Sequence, residues 1–274
     1  MKSTTERISP RIAAAYLARQ ASNRPIKPHV LAAYTADMRE GLWRPTHQGI
    51  ALTTGGLLCD GQHRLTALIA ADVTLPFVVT RGVLPTALEG LDCGATRSFR
   101  DAEAVLGVKR SCRFAPALLG IYTIEQRRAD VRARLFSKSF LRDAAPRYGD
   151  AINFVLAEGC SPRAVFTGAV SGVLARAFFS QDTERLRELI TVLRTGLTRG
   201  AADVAAVLFR NWALTHRTTG ARVYREAAYR KCESAAAAFF ESRPIGLLVQ
   251  SSTEKFPLPA GLSPFEPGDI GWPG

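Results

Sequence analysis

The sequence predicts an α+β protein: a small mixed-sheet domain at residues 1–105, an all-helical domain at 106–245 and a proline-rich extended tail at 246–274. Three observations carry this expectation. Short apolar runs at 48–52, 57–59 and 75–80 are bounded by turn residues, as strands are. From Leu106 onward, apolar residues instead recur at helical spacing almost throughout. The closing stretch holds five prolines, at 257, 259, 264, 267 and 273, which favour an extended or flexible chain. At 274 residues and 47% apolar composition, the chain suffices for one large core or two ordinary ones.

Taken in order, residues 8–21 read as an amphipathic helix with Ile12, Tyr16 and Leu17 on one side. Pro25 and Pro28 then hold an extended link. A second helix over 28–40 gathers Val30, Leu31, Tyr34 and Met38 on one face before Gly41 stops it. Trp43 is expected to cap the core. Strands at 48–52 and 57–59 are joined by Thr53-Thr54-Gly55-Gly56; a helix follows, Asp72 and its neighbours end it, and 75–80 is the third strand. A short helix is expected at 85–91. Beyond it, helices are expected at 113–128, 139–147, 162–179, 182–196, 201–216 and 220–241, divided by Gly149, the 159–162 segment, Gly196, Gly200 and Gly220.

The formal charge of +12 is unevenly placed. Residues 1–105 hold 12 Lys/Arg against 9 Asp/Glu, whereas 106–243 hold 23 against 12. A basic helical half attracts polyanions, nucleic acid first, through counterion release. The competing reading is of solvated faces in an Arg- and Ala-rich chain, since 30 of the 36 cations are Arg. The helix at 220–241 sets Arg222, Arg225, Arg230 and Lys231 beside Tyr224 and Tyr229, a pattern that suits phosphate contact or a solvated face equally. Five scattered cysteines without a C-x-x-C pair suggest neither a zinc site nor a disulfide framework. His29, His47, His63 and His216 show no ligand spacing. No apolar run is long enough to span a bilayer and Met1 to Pro10 is polar, so the expected setting is the cytoplasm, with no membrane partner.

Polar chemistry is densest at Asp60-Gly61-Gln62-His63-Arg64, between the apolar Leu57-Leu58-Cys59 and Leu65-Thr66-Ala67-Leu68. Asp60 suits a helix N-cap, and Gly61 permits a sharp turn and close approach of a ligand to the backbone. Gln62, His63 and Arg64 then fill the first helical turn, where backbone N–H groups and the helix dipole favour an anion. Arg64 adds a planar fork of donors suited to phosphate. The competing reading is a capped helix whose polar first turn faces water.

This box, with its flanking apolar residues, resembles the signature of the ParB/sulfiredoxin-like superfamily, in particular its DGQHR-type branch, over roughly residues 23–105. The segment from Val30 to Trp43 is similar to the helix that precedes the box in phage members. Asp92-Cys93-Gly94-Ala95-Thr96-Arg97-Ser98 resembles their second recurring element. The resemblance implies a nucleoside triphosphate or diphosphate at the box, held by Gly61, Gln62, His63 and Arg64. Arg97 and Ser98 suit its far phosphates, and Thr46 and Gln48 are placed to line the pocket. A triphosphate such as ATP or CTP would bring Mg²⁺, for which Asp60 is a ligand or, alternatively, a catalytic base. His63 is a second catalytic candidate. Glu40 is a third, because kinases of the superfamily use an acidic residue upstream of the box.

Sulfiredoxins carry Cys where this chain has Gln62, and an amide is no such nucleophile, so that activity is not expected. Cys59 is expected in the core. ParB clamps carry an acidic residue and consecutive arginines in the box, which Gln62-His63-Arg64 lacks. The expected function is a nucleotide-binding, DNA-associated ParB-like protein of a phage or mobile element. One alternative is a phosphotransferase or nucleotide-processing enzyme in which Arg64, His63 and Arg97 stabilise transferred phosphate. Another is an interaction protein with a vestigial pocket.

Overall fold

The computed structural model describes residues 1–20, 25–84, 99–105, 107–127, 131–132, 135, 137–159, 161–216 and 221–265. The chain divides into two compact units, Met1–Ser98 with Ala129–Leu141, and Phe99–Arg128 with Arg142–Gly274. The sequence reading sets boundaries after 105 and after 245; nothing in composition marks the return of 129–141 to the first unit.

The first unit is built on a four-stranded mixed sheet. Its strands are β1 (Lys2–Ile8), β2 (Ile50–Thr53), β3 (Leu58–Asp60) and β4 (Leu75–Val83), in the order β1-β4-β2-β3. β4 runs antiparallel to β1 and parallel to β2, and β2 with β3 forms the expected hairpin. Strand β1 corrects the expected helix start at residue 8. Only Ile8 of β1 is buried, so the strand carries little apolar signal. It is held at the sheet edge by backbone pairing, by the Ser3–Thr80 hydroxyl contact and by the Glu6–Arg81 ion pair. The helix α1 (Pro10–Leu17) starts after Ser9, whose Oγ accepts from the Ile12 N–H.

Helices α2 (Pro28–Arg39) and α3 (Gln62–Ala71) complete the layer against the sheet. Ile8, Met38, Ile50, Leu58, Leu65, Leu68, Phe77 and Val79 are buried together. Trp43 packs on this core as expected, 5.2 Å from the Tyr34 ring centroid and 5.8 Å from that of Phe77. The returning segment is tied in by the Ser137 hydroxyl, which donates to the buried Asp37 carboxylate. Asp37 also accepts the Leu42 and Trp43 N–H groups at its carbonyl.

The second unit is helical: α4 (Phe99–Val105), α5 (Phe114–Ile121), α6 (Lys138–Glu158) from Arg142 onward, α7 (Gly168–Ala177), α8 (Thr183–Thr195), α9 (Val204–Thr215) and α10 (Ala221–Phe240). The expected break at Gly149 does not occur. Tyr148, Ala151, Ile152 and Val155 are all buried there, and that packing outweighs the roughly 1 kcal/mol helix cost of one glycine. The close pairing of α5 with α7 depends on glycine: a Cβ at Gly120 would lie 1.8 Å from the Gly168 carbonyl oxygen.

The tail, expected to be extended or flexible, is packed in its described part. Residues 243–265 contain no helix or strand, yet Ser251 and Phe256 are buried. Arg176, itself buried, donates to the carbonyl oxygens of Phe256 (2.9 Å) and Ile121 (2.8 Å), and pairs with Glu125 and Glu254. Glu233 accepts from the Ser251 hydroxyl at 2.7 Å and the Lys255 N–H at 2.8 Å. Tyr122 donates to Tyr148 at 2.6 Å, and Tyr148 to the Leu262 carbonyl at 3.0 Å. Among the described residues, no helix is long and apolar enough to cross a membrane.

Candidate functional site

The box lies where β3 ends and α3 begins. Gly61 is the N-cap of α3, at φ +107°, a left-handed conformation that favours glycine. Its missing side chain also matters, because a Cβ would sit 3.2 Å from Ile50 Cγ1 and 3.3 Å from Ile50 Cα. The expectation that Asp60 caps the helix is therefore corrected. Asp60 is the last residue of β3, and no side chain caps α3. Its Oδ1 accepts the Gly61 N–H at 2.6 Å and its Oδ2 faces Arg64 Nη1 at 3.3 Å, so the carboxylate braces the turn from the strand side.

Arg64 Nη1 also donates to the Gly49 carbonyl at 2.8 Å, and its side chain is 14% exposed. The guanidinium thus crosses from the helix to the residue just before β2, the first strand of the hairpin. Gly49 is a site residue that the sequence reading passed over. A Cβ there would lie 1.7 Å from the Val78 carbonyl oxygen, so this backbone is pressed onto β4. The only sequence signal is a glycine in front of an apolar run, which is common.

Gln62 and His63 are both buried. His63 Nε2 accepts the Lys27 N–H at 2.9 Å, which assigns the ring as neutral with its proton on Nδ1. Lys27 is the N-cap of α2, so one imidazole fastens the starts of two helices. Cys59 is half-buried and donates its thiol to the Ala51 carbonyl. Burial, and then the charge of Asp60, push that thiol above its ordinary range, which disfavours a thiolate nucleophile.

The remaining candidates lie farther along the chain. Thr46 and Gln48 are exposed and precede β2, which begins at Ile50 because the backbone turns at Gly49, whose N–H bonds the His47 carbonyl. They do not enter the strand as expected. Glu40 is the exposed C-cap of α2. Arg97 and Ser98, with the expected helix at 85–91, lie outside the described residues. No family model, curated protein or solved structure matches the chain.

The basic helix α10 is not the open strip its sequence suggests. Tyr229 and Arg230 are buried, and Lys231 donates to the Leu248 carbonyl at 2.8 Å. Tyr224 is half-buried and stacks on Trp212, with ring centroids 5.6 Å apart. Arg225 remains exposed, and the Arg222 side chain lies outside the described set.

Chemically, the box offers a helix start without a side-chain cap, a guanidinium and a carboxylate within one turn of backbone. Such a start favours a phosphate through its N–H groups and dipole.

Proposed function

We propose that this chain is a nucleotide-binding, DNA-associated protein of ParB/sulfiredoxin-like type, encoded by a phage or mobile element. The observation that supports the reading is the turn itself, with Gly61 at positive φ, α3 starting without a side-chain cap, and Asp60 and Arg64 flanking it 3.3 Å apart. A nucleotide phosphate at this helix start competes with the Gly49 carbonyl for Arg64. Arg64 donates a charge-assisted bond to either acceptor, but only the phosphate carries the opposite charge and accepts the planar fork at two oxygens, which favours the exchange. Both carboxylate oxygens of Asp60 are already engaged within the turn, so Mg²⁺ accompanying ATP or CTP is held mainly by the phosphates. DNA is contacted by exposed cations of the helical unit.

One observation favours a second reading. Gln62 and His63 are buried, and Asp60, His63 and Arg64 all bond within the unit, as expected of a structural hub in an interaction protein.

Calorimetric titration with ATP, CTP, GTP and their diphosphates, with and without Mg²⁺, separates the two. Arg64→Lys keeps the charge but loses the planar fork, and its affinity is expected to fall roughly tenfold. Circular dichroism verifies that the variant is folded. No binding by the folded wild type overturns the nucleotide reading and leaves the hub. DNA association is read from the slope of log affinity against log salt, which is steep for a phosphate-contacting protein.

A further inference from the structure

The second unit carries a cleft of about 330 Å³ at the start of α7, lined by Cys112, Arg113, Arg163, Gly168 and Ser171 among others. Among the described residues, its lining includes two arginines and no carboxylate. Thr167 caps α7, its hydroxyl accepting the Val170 N–H, and no acidic residue occupies the first turn. The N–H groups of the first helical positions, Gly168 and Ala169, have no intrahelical acceptor by geometry, and the positive end of the dipole lies with them. A Cβ at Gly168 would lie 2.6 Å from the Pro116 carbonyl oxygen, so glycine lets the helix start lie against the cleft wall. Arg113 donates to the Phe166 carbonyl, which fixes its guanidinium at the rim, while Arg163 is exposed.

The independent observation is Ser171. It lines the cleft, is 1% exposed, and its Oγ meets no hydrogen-bond partner among the described residues. A buried hydroxyl without a partner is costly, and an acceptor entering the cleft removes that cost. We propose that this cleft binds a phosphoryl oxyanion, with Arg163 and Arg113 supplying charge, the start of α7 supplying N–H donors and Ser171 supplying a hydroxyl donor. All of the cleft's described lining residues belong to the helical unit and none to the box, so the proposal stands whether or not the box binds nucleotide. The phosphoryl group is either a terminal monoester or a diester of a nucleic-acid backbone.

Cys112 is an exposed free thiol in the lining and reports occupancy locally. The full chain is alkylated with iodoacetamide and the peptide bearing Cys112 is quantified by mass spectrometry. Three probes are titrated: inorganic phosphate, a short 5′-phosphorylated oligonucleotide, and the same oligonucleotide without the terminal phosphate. Saturable protection by the first two alone indicates a monoester site, and protection by the unphosphorylated oligonucleotide as well indicates a backbone diester; both support the proposal. The half-protecting concentration is expected to rise roughly tenfold in Arg163→Gln and roughly fivefold in Ser171→Ala. Absence of protection by all three probes overturns the proposal. Protection that weakens in Arg163→Gln but not in Ser171→Ala overturns it too, since it reduces the site to a charged rim.

Discussion

Replacing Gly49 with alanine tests whether the box is braced through β2 and β4. The added Cβ would lie 1.7 Å from the Val78 carbonyl oxygen and 2.6 Å from its carbon, both backbone atoms of a strand paired on either side. Relief requires a shift of the 49–50 backbone away from β4, where Ile50 pairs with Val79. Overpacking of this kind costs about 1–3 kcal/mol. The shift also withdraws the Gly49 carbonyl from Arg64, and a hydrogen bond to a charged group contributes about 1.5–3 kcal/mol, part of which survives by rebonding to water. The expected destabilisation is about 3 kcal/mol. Gly41→Ala is the control, since Gly41 has a positive φ of 70° but nothing within 4 Å of its Cβ, and left-handed strain alone costs about 1–2 kcal/mol. Two units make a single global stability ambiguous, so the assay is native-state hydrogen exchange resolved to peptides of β2, β4 and α3. Equal exchange in Gly49→Ala and Gly41→Ala would refute the bracing argument.

The Arg81 hydrogen bond holds the Glu6 carboxyl down at about 2, so its stabilisation is present above about 4.5 and is lost as pH falls towards 2. Because the pair is 31% and 44% exposed, the wild type should exceed Glu6→Gln by only about 0.5 kcal/mol near neutrality, a gap that urea titrations should see vanish in acid. Burial pushes the Glu233 carboxyl up, so its contribution is greatest below the ordinary carboxylate range and declines as pH rises through the raised value. The stability advantage of wild type over Glu233→Gln should therefore shrink from acid to neutral pH in the same titrations. His63→Phe removes the acceptor of the Lys27 N–H and should cost about 1 kcal/mol, seen as faster exchange in the first turn of α2. Tyr148→Phe breaks the bridge from Tyr122 to the Leu262 carbonyl and should cost about 2 kcal/mol in thermal unfolding.

Patterns that repeat were legible before the structure. The α2 face ending in Met38, the hairpin turn after Thr53 and the apolar face of α3 each follow from spacing, and the sheet-plus-helices class follows from them. Residues whose role depends on distant partners were not. Strand β1 has one buried side chain, so only its pairing with β4 defines it. Asp60 has the chemistry of a cap, yet β3 claims its backbone and leaves the cap to Gly61. Gly49 matters because Val78 lies above it, 29 positions further along the chain. At the box, sequence identified the residues and their turn, but not that His63 and Arg64 bond inward to Lys27 and Gly49.

The irregular segment after α10 is gripped largely through its main chain. Arg176, Tyr148 and Lys231 reach the carbonyl oxygens of Phe256, Leu262 and Leu248; Glu233 takes the Lys255 N–H; and the Ser251 N–H bonds the Arg230 carbonyl. Every residue offers the carbonyl, and every residue except proline the N–H, whatever its side chain. Evolution can therefore rewrite the letters of this stretch far more freely than its length. One inserted or deleted residue shifts every downstream carbonyl off its donor, including the one that partners the buried guanidinium of Arg176.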